Sequence, residues 1–302
     1  VMNNKRRLFS TVLCVAALTA GLFVSGCGSD KAGGIGSVVS SVVDGGDEKA
    51  AAKLNTLIDA TNRFNSDNAS FAQFQAEGLA KLKGGFAEGA ITNQPHFDRL
   101  QADLEKAKKE GSTFKEVDAE RDNVLNILNE LVPVYKDLTA YDDSKAYMND
   151  GGAKGKELAA KYVAAVEKFD AAYAKFNETL NKVNAEQSKK QIEKLKKDGK
   201  KGYAAAMEST LRLTELVDKL EKAPQNADKA AVEKELSEIE ALLKSINNDR
   251  GQVLADRYNS VVGDVRQVLA DPSDNNLNNM IEGFNGYIDT YNSTTPDQFD
   301  AK

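Results

Sequence analysis

Two cysteines, one histidine and an abundance of carboxylates are the residues of this 302-residue chain that could do chemistry. Cys27 closes the string Val24-Ser25-Gly26-Cys27. Before it come an apolar run from Leu8 to Val24 and the basic triplet Lys5-Arg6-Arg7. In that setting the expectation is attachment of lipid to the sulfur with cleavage of the Gly26–Cys27 bond, the plainer reading being an ordinary signal peptide or an uncleaved anchor that happens to contain a cysteine. Small residues at 25 and 26 let a peptidase reach that bond. Cys14 falls inside the segment that cleavage would remove. The body is then expected to hold no thiol for a disulfide, a metal or nucleophilic catalysis, and acylation accounts for the one that remains.

The other candidates each have a plainer reading. Tyr141, Asp142, Asp143, Tyr147 and Asp150 make an acidic, aromatic group that could hold a hard cation or a polar ligand. Their spacing is not that of a calcium-binding loop, and a solvated helix end is the plainer reading. His96 stands alone, so no multi-histidine zinc site is expected, and its place in Gln94-Pro95-His96 suits a helix start. Gly151 to Lys156 has the look of a phosphate loop, but Asp150 and Glu157 occupy the positions that need Gly and Ser or Thr. An aromatic–Asn pair recurs at 64–65, 176–177, 258–259, 284–285 and 291–292. It is read as core rings beside amides that bond between helices, ahead of a polar pocket for a glycan or peptide. Lysines cluster between Lys189 and Lys201, where an acidic partner or a lipid surface is the alternative to a solvated helix end.

The apolar run Leu8–Val24 is 17 residues, short of the roughly 20 that span hydrocarbon as a helix, and its basic flank fits a cleaved secretory signal. Residues 1–26 are therefore expected to be a lipoprotein signal peptide, and 27–46 a lipidated cysteine with a flexible Gly/Ser/Val tether. Taking Lys5, Arg6 and Arg7 from the 40 basic residues, against 46 acidic ones, moves the formal charge from −6 to −9. Such a body is repelled by phosphate backbones, and no nucleic-acid partner is expected.

From residue 47 onward apolar residues return at helical spacing. The first helix has Leu54, Leu57, Ile58, Thr61 and Phe64 on one face; a shorter piece carries Phe71, Phe74, Leu79 and Leu82. Thr113 and Glu116 have the spacing of a capping box, and Pro133 is expected to kink or divide the helix that follows. The longest element is expected from about Lys154 to Lys197, with a stripe running from Leu158 to Val183. Three helices follow at 203–222, 228–248 and 252–269, then a last one at 275–292, with Pro224, Pro272 and Pro296 in the gaps. The expected fold is all-α: an elongated bundle of about eight helices including one very long helix, forming a single domain over 47–302.

Several segments together resemble the YiiG-like bacterial lipoproteins, an all-helical envelope family of unknown function. They are Lys53 to Asn62, Tyr141 to Tyr147 with Asp150 and Lys154 to Leu158, Tyr258 to Val261, and Phe284 to Asn292. Leu57 stands where that family usually has an aromatic, and Gly151-Gly152 departs from its central segment. The resemblance implies a helical fold and a place in the bacterial envelope. By analogy with lipoprotein sorting, Gly28 and Ser29 after the cysteine favour the periplasmic face of an outer membrane if the source is Gram-negative. The expected function is a membrane-anchored, non-catalytic binding or scaffolding module with a protein or glycan partner in the envelope. It needs no cofactor beyond the covalent lipid on Cys27. The alternative is a carboxylate-dependent hydrolase acting on an envelope polymer.

Overall fold

The computed structural model describes residues 47–69, 72–92, 94–111 and 114–301. The signal segment, the Gly26–Cys27 bond, the tether, Phe71 and Thr113 lie outside them. The described residues form eleven α-helices and no strand. They form two compact units, Lys53–Val183 and Asn184–Lys302. No described helix is long and apolar enough to cross a membrane.

The first unit contains α1 (Asp47–Ala69), α2 (Ala72–Lys83), α3 (Phe97–Lys109), α4 (Lys115–Asp143), the single turn α5 (Tyr147–Asp150) and most of α6 (Ala153–Lys197). The periodic apolar residues are the buried ones. Leu54, Leu57 and Ile58 of α1 are buried, as are Leu100 and Leu104 of α3 and Leu128 and Leu131 of α4. Rings tie these helices together: Phe97 meets Phe169 at 5.0 Å, and Phe64 meets Phe169 at 5.9 Å, both edge to face. That geometry is favoured by the ring quadrupole.

Helix α4 runs unbroken for 29 residues through Pro133, where a kink or division is expected. Pro133 is exposed, and so is Asn129, whose carbonyl loses the proline's missing N–H. Water can serve that carbonyl, so the helix continues. Phe114 takes the N-cap position of α4 without a side-chain cap, so the expected start of this helix moves by one residue. Helix α6 covers 45 residues, about 68 Å at 1.5 Å per residue. Its buried positions pass from Phe176, Leu180 and Val183 to Asn184, Ser188, Ile192 and Leu195. The division between units falls at that change of register.

The second unit adds α7 (Lys201–Lys222), α8 (Lys229–Lys244), α9 (Asp249–Ala270), α10 (Asp274–Asn292) and the single turn α11 (Pro296–Phe299). Side-chain caps define the starts of α8 and α9. Asp228 accepts from the amides of Ala230 and Ala231, and Asn248 from those of Arg250 and Gly251. Tyr287 of α10 is fully buried, and its hydroxyl sits 3.1 Å from both Ser209 and Thr210 of α7. Phe299 of α11 stacks on Tyr203 and Tyr291.

Asn248 does two jobs. Its Oδ1 caps α9, while its Nδ2 donates to the carbonyls of Gln298, Phe299 and Ala301. Asn248→Ala removes a cap worth about 0.5–2 kcal/mol and three bonds that seat the segment after α10. Urea unfolding followed by circular dichroism is expected to show a loss at or above the upper end of that range. A change within experimental error would show that neither role matters.

Candidate functional site

The acid–aromatic group lies where α4, α5 and α6 meet the segment between α2 and α3. Tyr141 and Asp142 are buried, Tyr147 is half-buried, and Asp143 and Asp150 are exposed. Phe86 packs edge to face on Tyr141 at 5.1 Å and lies 5.4 Å from Tyr147. Asp142 Oδ2 accepts the amide of Gly89 at 2.9 Å. Asp150 accepts the Tyr141 hydroxyl at 2.6 Å and the amides of Gly152 and Lys154 at 2.9 and 3.1 Å. It therefore caps the start of α6, where the helix end carries partial positive charge. The Tyr141 hydrogen bond, with help from those amides, holds the Asp150 carboxyl below its usual range. A hydrogen bond to Glu88 is the main cause pushing the Tyr147 phenol up to about 12.

The structure thus brings together Tyr141, Asp142, Tyr147 and Asp150, and adds Phe86 and Glu88. Asp142 and Asp150 use oxygens to hold backbone amides, which ties loop 84–96 and the start of α6 to the end of α4. Among the described residues no group of three or more His, Cys, Asp and Glu is placed to hold a metal ion.

A second feature lies between α1 and α3. Arg63 Nη1 pairs with Asp103 Oδ2 at 3.0 Å, and Arg99 Nη1 with Asp67 Oδ2 at 2.6 Å. Each helix carries Arg-x-x-x-Asp, so the two pairs cross between α1 and α3. With Phe64, Leu100 and His96 they line a shallow, open depression. His96 is the N-cap residue of α3 but makes no side-chain cap bond, and it is exposed. The matching Arg-x-x-x-Asp strings were the signal for this groove. Periodicity alone treats them as solvated faces.

The lysine cluster is offset by acids from distant positions. Lys189 pairs with Glu215 at 3.1 Å, Lys196 with Glu208 at 2.8 Å and Lys200 with Asp297 at 2.9 Å. The basic stretch in sequence is, in the fold, a set of ties from α6 and the following turn to α7 and α11. Of the aromatic–Asn pairs, all five rings are buried. Asn65 accepts the Tyr173 hydroxyl at 3.0 Å, an interhelical bond of the expected kind, whereas the buried Oδ1 atoms of Asn177 and Asn285 have no hydrogen-bond partner among the described residues.

The chain belongs to the family described as protein of unknown function, DUF3829, which matches residues 48–253. No curated protein and no solved structure matches it. The matched region ends inside α9, so α10 and α11, which complete the second unit, lie beyond it.

Asp150→Ala is expected to lower the melting temperature and to speed amide hydrogen exchange at Gly152 and Lys154 while leaving the middle of α6 protected. Unaltered exchange at those two amides would show that the carboxylate does not cap the helix.

Proposed function

We propose that this chain is a lipid-anchored envelope protein of the YiiG-like group that works by binding or scaffolding, not by catalysis. The observation that carries the reading is Val24-Ser25-Gly26-Cys27, preceded by an apolar run too short to span a bilayer and by Lys5-Arg6-Arg7. Diacylglycerol on the Cys27 sulfur would anchor the chain stably, since each buried methylene contributes about 0.8 kcal/mol and two chains suffice. Gly28 and Ser29 favour the periplasmic face of an outer membrane, with residues 27–46 as the leash.

The binding reading draws on how the body spends its polar groups. Asp142 and Asp150 secure backbone amides, and Arg63, Asp67, Arg99 and Asp103 satisfy one another across a shallow groove. Groups committed in this way hold a surface in shape for a partner; a general acid or base must instead reach a substrate. The partner class that fits is an envelope protein or glycan, with no cofactor beyond the covalent lipid.

Cys27→Ser is expected to abolish incorporation of labelled palmitate and to move the chain from the membrane pellet to the soluble fraction after an alkaline wash. Retention of the variant in the washed pellet would defeat the anchor. In-cell crosslinking with mass spectrometry tests the binding role; recovery of only abundant, unrelated envelope proteins counts against a specific partner.

A further inference from the structure

Among the described residues a few half-buried acids keep carboxylate oxygens buried with no hydrogen-bond partner. Asp170 of α6 keeps Oδ2 buried with no hydrogen-bond partner, and Glu221 near the end of α7 keeps both Oε1 and Oε2 so. The first belongs to one unit and the second to the other.

The surroundings of the two follow one pattern. Three residues before Asp170 stands Glu167, and the cation that bears on Asp170 is Lys83 of α2. Lys83 Nζ is already bonded to Glu167, at 2.8 Å. Three residues before Glu221 stands Asp218, and the cation that bears on Glu221 is Lys222. Lys222 Nζ is already bonded to Asp218 Oδ2, at 2.8 Å. In each unit, among the described residues, the lysine that bears on the inner acid is bonded to an outer acid one turn away, and the inner acid keeps buried oxygen without a hydrogen-bond partner. Asp59 of α1 stands similarly beside Arg63, whose guanidinium is bonded to Asp103.

An ionised carboxylate removed from water and left without a donor is costly, and the group is more stable carrying a proton. We propose that Asp170 and Glu221 make the fold a proton-sensitive latch: each unit is tightest with its inner acid neutral and loosens when that acid ionises. Burial is the first cause acting on both, and repulsion from the outer acid is the second; together they push each carboxyl up to about 7. Asp59 is pushed up to about 6 by burial, against the pull of Arg63.

An acid with a raised folded-state value binds more protons folded than unfolded. Its stabilising effect is complete below the ordinary carboxylate range and is lost as pH rises from there through about 7. Acids pinned by arginine act in the opposite sense. Glu233 and Glu235 are held low by hydrogen bonds from Arg266 and Arg212, so their contribution is lost as pH falls below the ordinary range. The two slopes together place maximal stability in mildly acidic medium. This inference rests on the fold alone and stands apart from the anchoring and binding reading.

The test is the melting temperature of the full chain between pH 5 and pH 8 at constant ionic strength. It is expected to fall across that interval, each inner acid weakening the folded-to-unfolded ratio by up to about tenfold per pH unit. The paired variant Asp170→Asn with Glu221→Gln keeps side-chain shape and removes the titration. It is expected to melt higher than the unaltered chain at pH 8, to change little at pH 5, and to lose most of the slope. A flat profile for the unaltered chain, or an undiminished slope in the paired variant, overturns the latch. Should the paired variant fail to fold, carboxyl-carbon NMR titration of the unaltered chain decides. A midpoint near 7 for Asp170 and Glu221 supports the latch, and midpoints in the ordinary carboxylate range overturn it.

Discussion

Segments that are not helical must be seated on helices without stranding their backbone groups, and the rest of this structure depends on how that is done. In the first unit the segment between α2 and α3 lies directly against α2 at Gly78. A Cβ there would come within 2.3 Å of the Ala90 carbonyl oxygen and 2.8 Å of Gln94 Nε2. That approach places Gln94 so that Nε2 donates to Ala90 and Oε1 accepts the buried Tyr162 hydroxyl at 2.8 Å. One buried amide thus links the segment to itself and to α6. Its two ends satisfy groups that would otherwise be buried unpaired, each at a cost of about 1–3 kcal/mol.

The second unit solves the same problem at Gly202. A Cβ would sit 2.1 Å from the Phe299 carbonyl oxygen, so the first turn of α7 receives the 295–301 segment only because that side chain is missing. The Gly202 amide, one of the donors a helix start leaves unpaired, then bonds Asp300 Oδ1 at 2.7 Å. Asn248 holds three of its carbonyls, Asp297 and Asp300 add side-chain bonds, and Phe299 supplies the apolar anchor. In both units close backbone approach comes first and the polar bonds follow from it.

Much of this was legible in the chain. The long helix is expected over 154–197 and found over 153–197, and its stripe from Leu158 to Val183 is buried apart from half-buried Tyr173. Helix spacing is a local property, set by the need of every third or fourth side chain to leave water. What was less legible has equally definite causes. Pro133 does not break α4 because its lost hydrogen bond faces solvent, and burial on that face cannot be known from one turn of sequence. The single turns at 147–150 and 296–299 are too short to show a period; they exist because Asp150 and Phe299 are held by residues elsewhere in the chain. The lysines between 189 and 201 look like an exposed basic patch until α7 and α11 bring Glu208, Glu215 and Asp297 to them.

Alone, the amino-acid sequence determined that the body is helical, where most helices run and which faces are buried, and it carries the expectation of lipid on Cys27. These are properties of neighbours along the chain: periodicity, caps, and a short string beside an apolar run. Tertiary structure decided what the polar residues do. It made Asp150 a helix cap, crossed the ion pairs of Arg63 and Arg99, and buried carboxylate oxygens of Asp170 and Glu221 while the neighbouring lysines pair with other acids. The reason is electrostatic. The state of a carboxylate depends on the water and charge within a few ångströms of it, and those neighbours come from turns of helix that only packing brings together.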